Sequence, residues 1–158
     1  MDFRWRLLAG LKKTVLLNWG LLLAWMGVIF FMSTDTFSAA NTSRVLFPIL
    51  KFLFPVWAPS HYRLVHMMIR KSGHFTEYAV LALLWYRTLQ IREKTWSYKA
   101  ALLSVSLSAL YAATDEFHQS FVPSRTASFG DVAIDSAGAL FSMILLWIIA
   151  LRKPVQRV

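Results

Sequence analysis

Three short stretches of this sequence hold most of its reactive side chains. The first is Lys71-Ser72-Gly73-His74-Phe75-Thr76-Glu77-Tyr78. The second is Tyr111-Ala112-Ala113-Thr114-Asp115-Glu116-Phe117-His118-Gln119, followed at a short distance by Arg125. The third is Asp131 with Asp135. An imidazole titrates near neutral pH and can act as general base or nucleophile. Glu77 lies three residues after His74, and Asp115 three before His118, so each could fix a histidine tautomer. Lys71 and Arg125 suit phosphate oxygens, the arginine bidentately. Asp131 and Asp135 could orient a hydroxyl acceptor or a basic residue. The candidate catalytic residues are therefore His74, Glu77, Asp115, Glu116, His118, Asp131 and Asp135. Lys71, Tyr78, Tyr111, Gln119 and Arg125 are the candidate substrate-binding residues.

Helical spacing groups them. Lys71, His74 and Glu77 or Tyr78 follow i, i+3, i+6/7; Tyr111, Asp115 and His118 follow i, i+4, i+7. Asp131 and Asp135 are four apart and continue through Gly138 or Ala139 to Ser142. Each set falls on one helical face. A plainer reading pairs the charges with one another: Lys71 or Arg125 with Asp131, and His118 with Asp115. No cofactor motif is present. A divalent metal held by His74, Glu77, Asp115 and His118 is an alternative, since helix bundles build such sites from paired ligands. It is opposed by the reversed order of the first pair and by the nearby cations.

The elements that must position these groups are membrane helices. Of 158 residues, 57 % are hydrophobic and only 16 % charged, with 12 Phe and 7 Trp. Mean hydropathy is +0.49. This excludes an ordinary soluble domain and a disordered chain, and the absence of Cys excludes a disulfide framework and thiolate chemistry. Residues 15–32 run uncharged for long enough to cross a bilayer. They read as an uncleaved anchor rather than a signal peptide, despite the weak Ser38-Ala39-Ala40 site. Gly20, Ala24 and Gly27 offer a small-residue stripe for helix packing. Further spans fall at about 69–89, 100–120 and 131–151. Residues 43–59, broken by Pro48, Lys51 and Pro55, suit an interfacial or re-entrant segment. Residues 60–71 lead helically into the second span, with His61 and His66 as interfacial surface residues. The expected fold is thus an all-α integral membrane protein with four transmembrane helices plus this interfacial segment, as one domain over residues 1–158.

Charge supports that topology. With the N-terminus inside, Arg4, Arg6, Lys12, Lys13, Arg87, Arg92, Lys94, Lys99, Arg152, Lys153 and Arg157 are cytoplasmic, against only Asp2 and Glu93. The other side balances six basic with six acidic residues, so the net charge of +9 lies wholly inside. This is the positive-inside pattern, and both termini are expected in the cytoplasm. The high positive charge then sets orientation rather than nucleic-acid binding, and no nucleic-acid motif, Gly-rich phosphate loop or G-x-S-x-G elbow occurs.

The first stretch resembles the K-x-x-H-F-x-E-Y-x-x-L signature of the VanZ family, continuing through Leu81. The second, extended through Ser120-Phe121-Val122-Pro123-Ser124-Arg125, is similar to that family's Y-A-x-x-D-E-x-H-Q-x-F-x-P-x-R block. Asp131 to Gly138 resembles its D-x-x-x-D-x-x-G block. The likeness runs in order from about residue 30 to 150. It implies a small bacterial protein of the cytoplasmic membrane, in a family whose founding member is linked to teicoplanin resistance. A wider relationship to membrane enzymes acting on lipid head groups is carried as analogy only.

Three functions suit an outer-facing polar site. One is hydrolysis or head-group exchange on a phospholipid or lipid-linked cell-wall intermediate. Another is non-enzymatic binding or shielding of such a lipid. The third is a proton-coupled carrier, which four helices without a repeat, and without polar residues deep in the inner half of the second or fourth, serve poorly. Single cysteines at Ser124 and Lys94 test the orientation: an impermeant reagent added outside should label the Ser124 site and spare the Lys94 site.

Overall fold

The computed structural model describes residues 2–91 and 95–152, with side chains described from Gly10 onward. Five α-helices and one 3-10 turn make up the described residues, with no strand among them: α1 Asp2–Met32, the 3-10 turn Asp35–Phe37, α2 Ala39–Leu53, α3 Pro59–Leu89, α4 Tyr98–Gln119 and α5 Phe129–Leu151. Of the charges counted for orientation, Arg92, Glu93, Lys94, Lys153 and Arg157 lie outside the described residues, as do the side chains of Asp2, Arg4 and Arg6.

Local chemistry sets the boundaries. Ser38, Ser97 and Ser128 cap α2, α4 and α5, each accepting a backbone N–H with its side chain. Pro59 occupies the first turn of α3, where its missing N–H costs nothing. The lead-in at 60–71 joins the second expected span without a break. The resulting helix of 31 residues is about 46 Å long, more than a bilayer core requires. Residues 43–59 do not form one segment: residues up to Leu53 belong to α2, which lies along α3, and Phe54 to Ala58 turn back into it. The Tyr62 hydroxyl ties that turn down by donating to the Phe54 carbonyl at 2.6 Å.

Helix α3 is the central element and contacts α1, α2, α4 and α5. The interior is built from small or polar residues, including Ala82, Ala112, Ala139, Ser104, Ser108 and Ser142, around buried Tyr78, Leu81 and Leu22. Large apolar side chains instead cover the outside, from Leu16 and Phe31 on α1 to Phe141 and Ile149 on α5. Two helices, Gly10–Met32 and Phe129–Leu151, are long and apolar enough to cross a membrane, yet only 17 % and 28 % of their most apolar windows are buried. Core helices of soluble proteins are mostly buried, so that alternative does not suit these two. The small-residue stripe on α1 is not used within the chain, because nothing lies within 4 Å of a Cβ placed at Gly20 or Gly27.

The closest helix approach is made elsewhere. A Cβ built at Gly138 would overlap the Phe75 carbonyl oxygen and sit 2.9 Å from its carbon, closer than real side chains come. Backbone therefore meets backbone where α3 crosses α5. Gly138→Ala should force the helices apart at a cost of about 1–3 kcal/mol, as for other overpacked sites. A lowered unfolding temperature of the purified protein would register this, and an unchanged one would refute the tight crossing.

Candidate functional site

The α3–α5 crossing brings the first and third polar stretches together. Lys71 Nζ donates to Asp131 Oδ1 at 2.7 Å, one of the pairings expected from sequence. One turn deeper, His74 Nδ1 stands 3.6 Å from Asp135 Oδ1, beyond hydrogen-bond length but within strong electrostatic reach. Asp135 is wholly buried and neither of its oxygens has a hydrogen-bond partner. Because Nδ1 faces Asp135, Nε2 is the nitrogen of His74 left for other partners.

The second stretch divides between neighbours. Tyr111 donates its hydroxyl to the Met26 carbonyl at 2.7 Å. Asp115 accepts from Ser33 at 2.6 Å and from Gln119 at 2.9 Å, and Gln119 also donates to Ser33 at 3.1 Å. These bonds tie α4 to the end of α1. Glu116 faces the other way and accepts the Ser128 N–H at 2.7 Å, at the start of α5. The expected His118–Asp115 pair does not form. Asp115 is committed to Ser33 and Gln119, and the His118 ring lies against Phe30 with centroids 4.5 Å apart. Tyr78 is fully buried below the site, its hydroxyl without a partner.

Arg125 does not take Asp131 either, since Lys71 already holds that carboxylate. Its guanidinium donates to the carbonyls of Met32 and Thr34, where α1 ends. A cation at a helix C-terminus is favourable there. Ser124 donates to Asp35 beside it, so the loop after α4 is fastened over the end of α1. Burial, and Arg70 nearby, push the Arg125 guanidinium below its ordinary value.

Two adjoining cavities open at this end of the bundle. The first, about 380 Å³, is lined by Arg63, Lys71, Gln119 and Asp131 among others. The second, about 310 Å³, presents a mainly apolar surface, with Met32, Phe37, Leu46 and Ile69 lining it beside Ser33, Thr42 and Glu77. His66, Arg70, His74 and Arg125 line both. Of the residues proposed from sequence, Lys71, His74, Glu77, Gln119, Arg125 and Asp131 thus border open space. Asp135, Asp115 and Tyr78 lie buried, His118 and Tyr111 line neither cavity, and Glu116 borders a separate apolar groove between α4 and α5. The four residues considered as metal ligands are not gathered. His118 packs on Phe30, and among the described residues no three His, Asp or Glu side chains are grouped to hold an ion.

Sequence reasoning missed Arg63, His66 and Arg70. They continue the His74–Glu77 face at spacings of 3, 4, 4 and 3 residues, and this stripe was the available signal. His61 is exposed as expected, but His66 is only 7 % exposed and pairs with Thr42 Oγ1 at 2.8 Å. Arg70 donates to the Phe37 carbonyl at 2.8 Å. Neither interaction is visible until α2 folds back along α3.

A family model described as VanZ/LLP1 matches residues 18–150. No curated protein and no solved structure matches the chain.

Burial, then Arg70, hold the His66 imidazole below its ordinary value of 6.5. The unfolded chain therefore binds this proton more readily, and stability falls as pH drops from about 6.5 toward the lowered folded value. Thermal unfolding should show that acid loss, and His66→Gln should flatten it while retaining a polar partner for Thr42. An equally steep loss in the variant would assign the effect elsewhere.

Proposed function

This chain belongs to the VanZ/LLP1 family, and on that premise we propose that it is a bacterial inner-membrane enzyme acting on the phosphoester of a lipid head group or lipid-linked envelope intermediate. In this reading α1, α3, α4 and α5 all span the bilayer, with both termini cytoplasmic and the cavities facing out. The exposed apolar surfaces of α1 and α5 support the membrane setting. Arg70, Lys71 and Glu77 border a cavity and Asp115 and Glu116 lie buried, so these charges within α3 and α4 can be accommodated, while Arg87 and Lys99 stand exposed near the helix ends.

The observation that carries the reading is His74 between buried Asp135 and the arginine-lined cavities. Asp135 is a positioning residue that favours the His74 tautomer with its proton on Nδ1. Nε2 then takes the proton of water or of an acceptor alcohol. The freed oxygen bonds to phosphorus, the ester P–O bond breaks, and the departing oxygen receives the proton back from His74. Arg70 and Arg125 balance the charge growing on the phosphoryl oxygens. A second reading is a binder that shields the same lipid without turnover. The 3.6 Å gap between His74 and Asp135 favours it, since the pair is not hydrogen-bonded.

Purified protein in nanodiscs, incubated with labelled phospholipids and prenyl-linked phosphates, separates the two. An enzyme should lose about 100-fold or more of its turnover in His74→Ala, with a smaller loss in Asp135→Asn. Turnover lost in His118→Ala but kept in His74→Ala would move the chemistry to the α1–α4 side. Absence of turnover, with a co-purifying lipid that His74→Ala releases, would leave the binder.

A further inference from the structure

The paired cavities carry a charge surplus that separates one class of lipid from another. Arg63, Arg70, Lys71 and Arg125 border them, against the carboxylates of Asp131 and Glu77. Lys71 is neutralised by Asp131 at 2.7 Å. The three arginines belong to neither of the two ion pairs found among the described residues. Arg70 and Arg125 bond to backbone carbonyls, which orient a guanidinium without cancelling its charge. With both histidines neutral, the cavities hold two more positive than negative side chains. Such a surplus close to a low-dielectric surface attracts a matching anion far more strongly than in water.

The apolar cavity adds a second requirement. It shares a wall of His66, Arg70, His74 and Arg125 with the cationic one and is bordered beyond that wall by Met32, Phe37, Leu46 and Ile69. A molecule with phosphate at the shared arginines and a hydrocarbon chain attached would satisfy both spaces.

Resting on the site just proposed, we infer that these cavities select a lipid phosphate of two or more negative charges, a prenyl diphosphate or a terminal phosphomonoester, over a zwitterionic phosphodiester. Phosphatidylethanolamine brings a single negative charge together with an ammonium group, which the arginines repel. An inorganic phosphate or pyrophosphate brings the charge but leaves the apolar cavity empty.

Binding to the full chain in detergent micelles, followed by native mass spectrometry, tests this without requiring turnover. The probes are farnesyl diphosphate, phosphatidic acid, phosphatidylethanolamine and inorganic pyrophosphate. The first two should bind at least about tenfold more tightly than the last two, on the scale of one charge-assisted hydrogen bond. Arg63→Gln should weaken farnesyl diphosphate several-fold without unfolding the protein, because Arg63 is exposed. Leu46→Trp, which fills the apolar cavity, should weaken farnesyl diphosphate and leave pyrophosphate unchanged. Equal binding of phosphatidylethanolamine would overturn the charge selection, and pyrophosphate binding as tightly as farnesyl diphosphate would overturn the role of the tail. The outcomes are separable from those of the enzymatic reading. Selective binding without turnover removes the enzyme and keeps the selectivity, whereas turnover of phosphatidylethanolamine without binding of the dianions does the reverse.

Discussion

The contact between the Gly138 position of α5 and the Phe75 carbonyl of α3 governs the geometry of this protein. Only a residue without a side chain lets the two backbones approach this closely. The pairing of α3 with α5 side chains follows from that approach. Asp135 lies one turn before Gly138, and His74 precedes Phe75, so the crossing point delivers them to each other. Asp131 lies a further turn out and meets Lys71. A wider crossing would move His74 away from the buried Asp135 carboxylate, whose oxygens have no hydrogen-bond partner.

Around this crossing the usual distribution of polarity is reversed. Small and hydroxylic residues fill the interior while Leu, Ile and Phe face outward. In water such a surface would drive aggregation. In lipid it costs nothing, and helix association rests on close packing and interhelical hydrogen bonds instead. The bonds from Tyr111 to Met26, from Ser33 to Asp115 and from Trp25 to the Glu77 carbonyl serve that purpose for α1. They hold at its end a helix that is otherwise little covered by the rest of the chain.

The cationic end is organised by a different economy. Arg125 and Arg70 spend their donors on carbonyls of the segment between α1 and α2. That choice stabilises the segment and preserves the charge, because a carbonyl accepts hydrogen bonds but carries no net charge. A carboxylate in the same position would have given a stronger local bond and a neutral cavity. The arrangement therefore joins a structural role, closing a loop over a helix end, to an electrostatic one.

Much of this was legible in the sequence, for identifiable reasons. Helical periodicity and long apolar runs placed both ends of α4 and α5 within a few residues and fixed the C-terminal end of α1, which starts at Asp2 rather than residue 15; the i, i+4 spacing put Asp131 and Asp135 on one face with Gly138. The three polar stretches and their order carried the family likeness that the match over residues 18–150 bears out. Spacing along one helix cannot say which neighbour its face will meet. Hence His118, on the same stripe as Asp115, turned out to lie on Phe30, and Asp115 found Ser33 rather than a histidine. Hence also His66, which sequence reads as a surface residue, is buried under Thr42 of a helix whose return path no local pattern specifies. The sequence by itself determined the helices, their polar faces and the excess of charge, since these depend on residues within a few turns. Only the tertiary structure decided which charges are paired and which stay open to the cavities, because pairing depends on distances between helices that the close α3–α5 crossing sets.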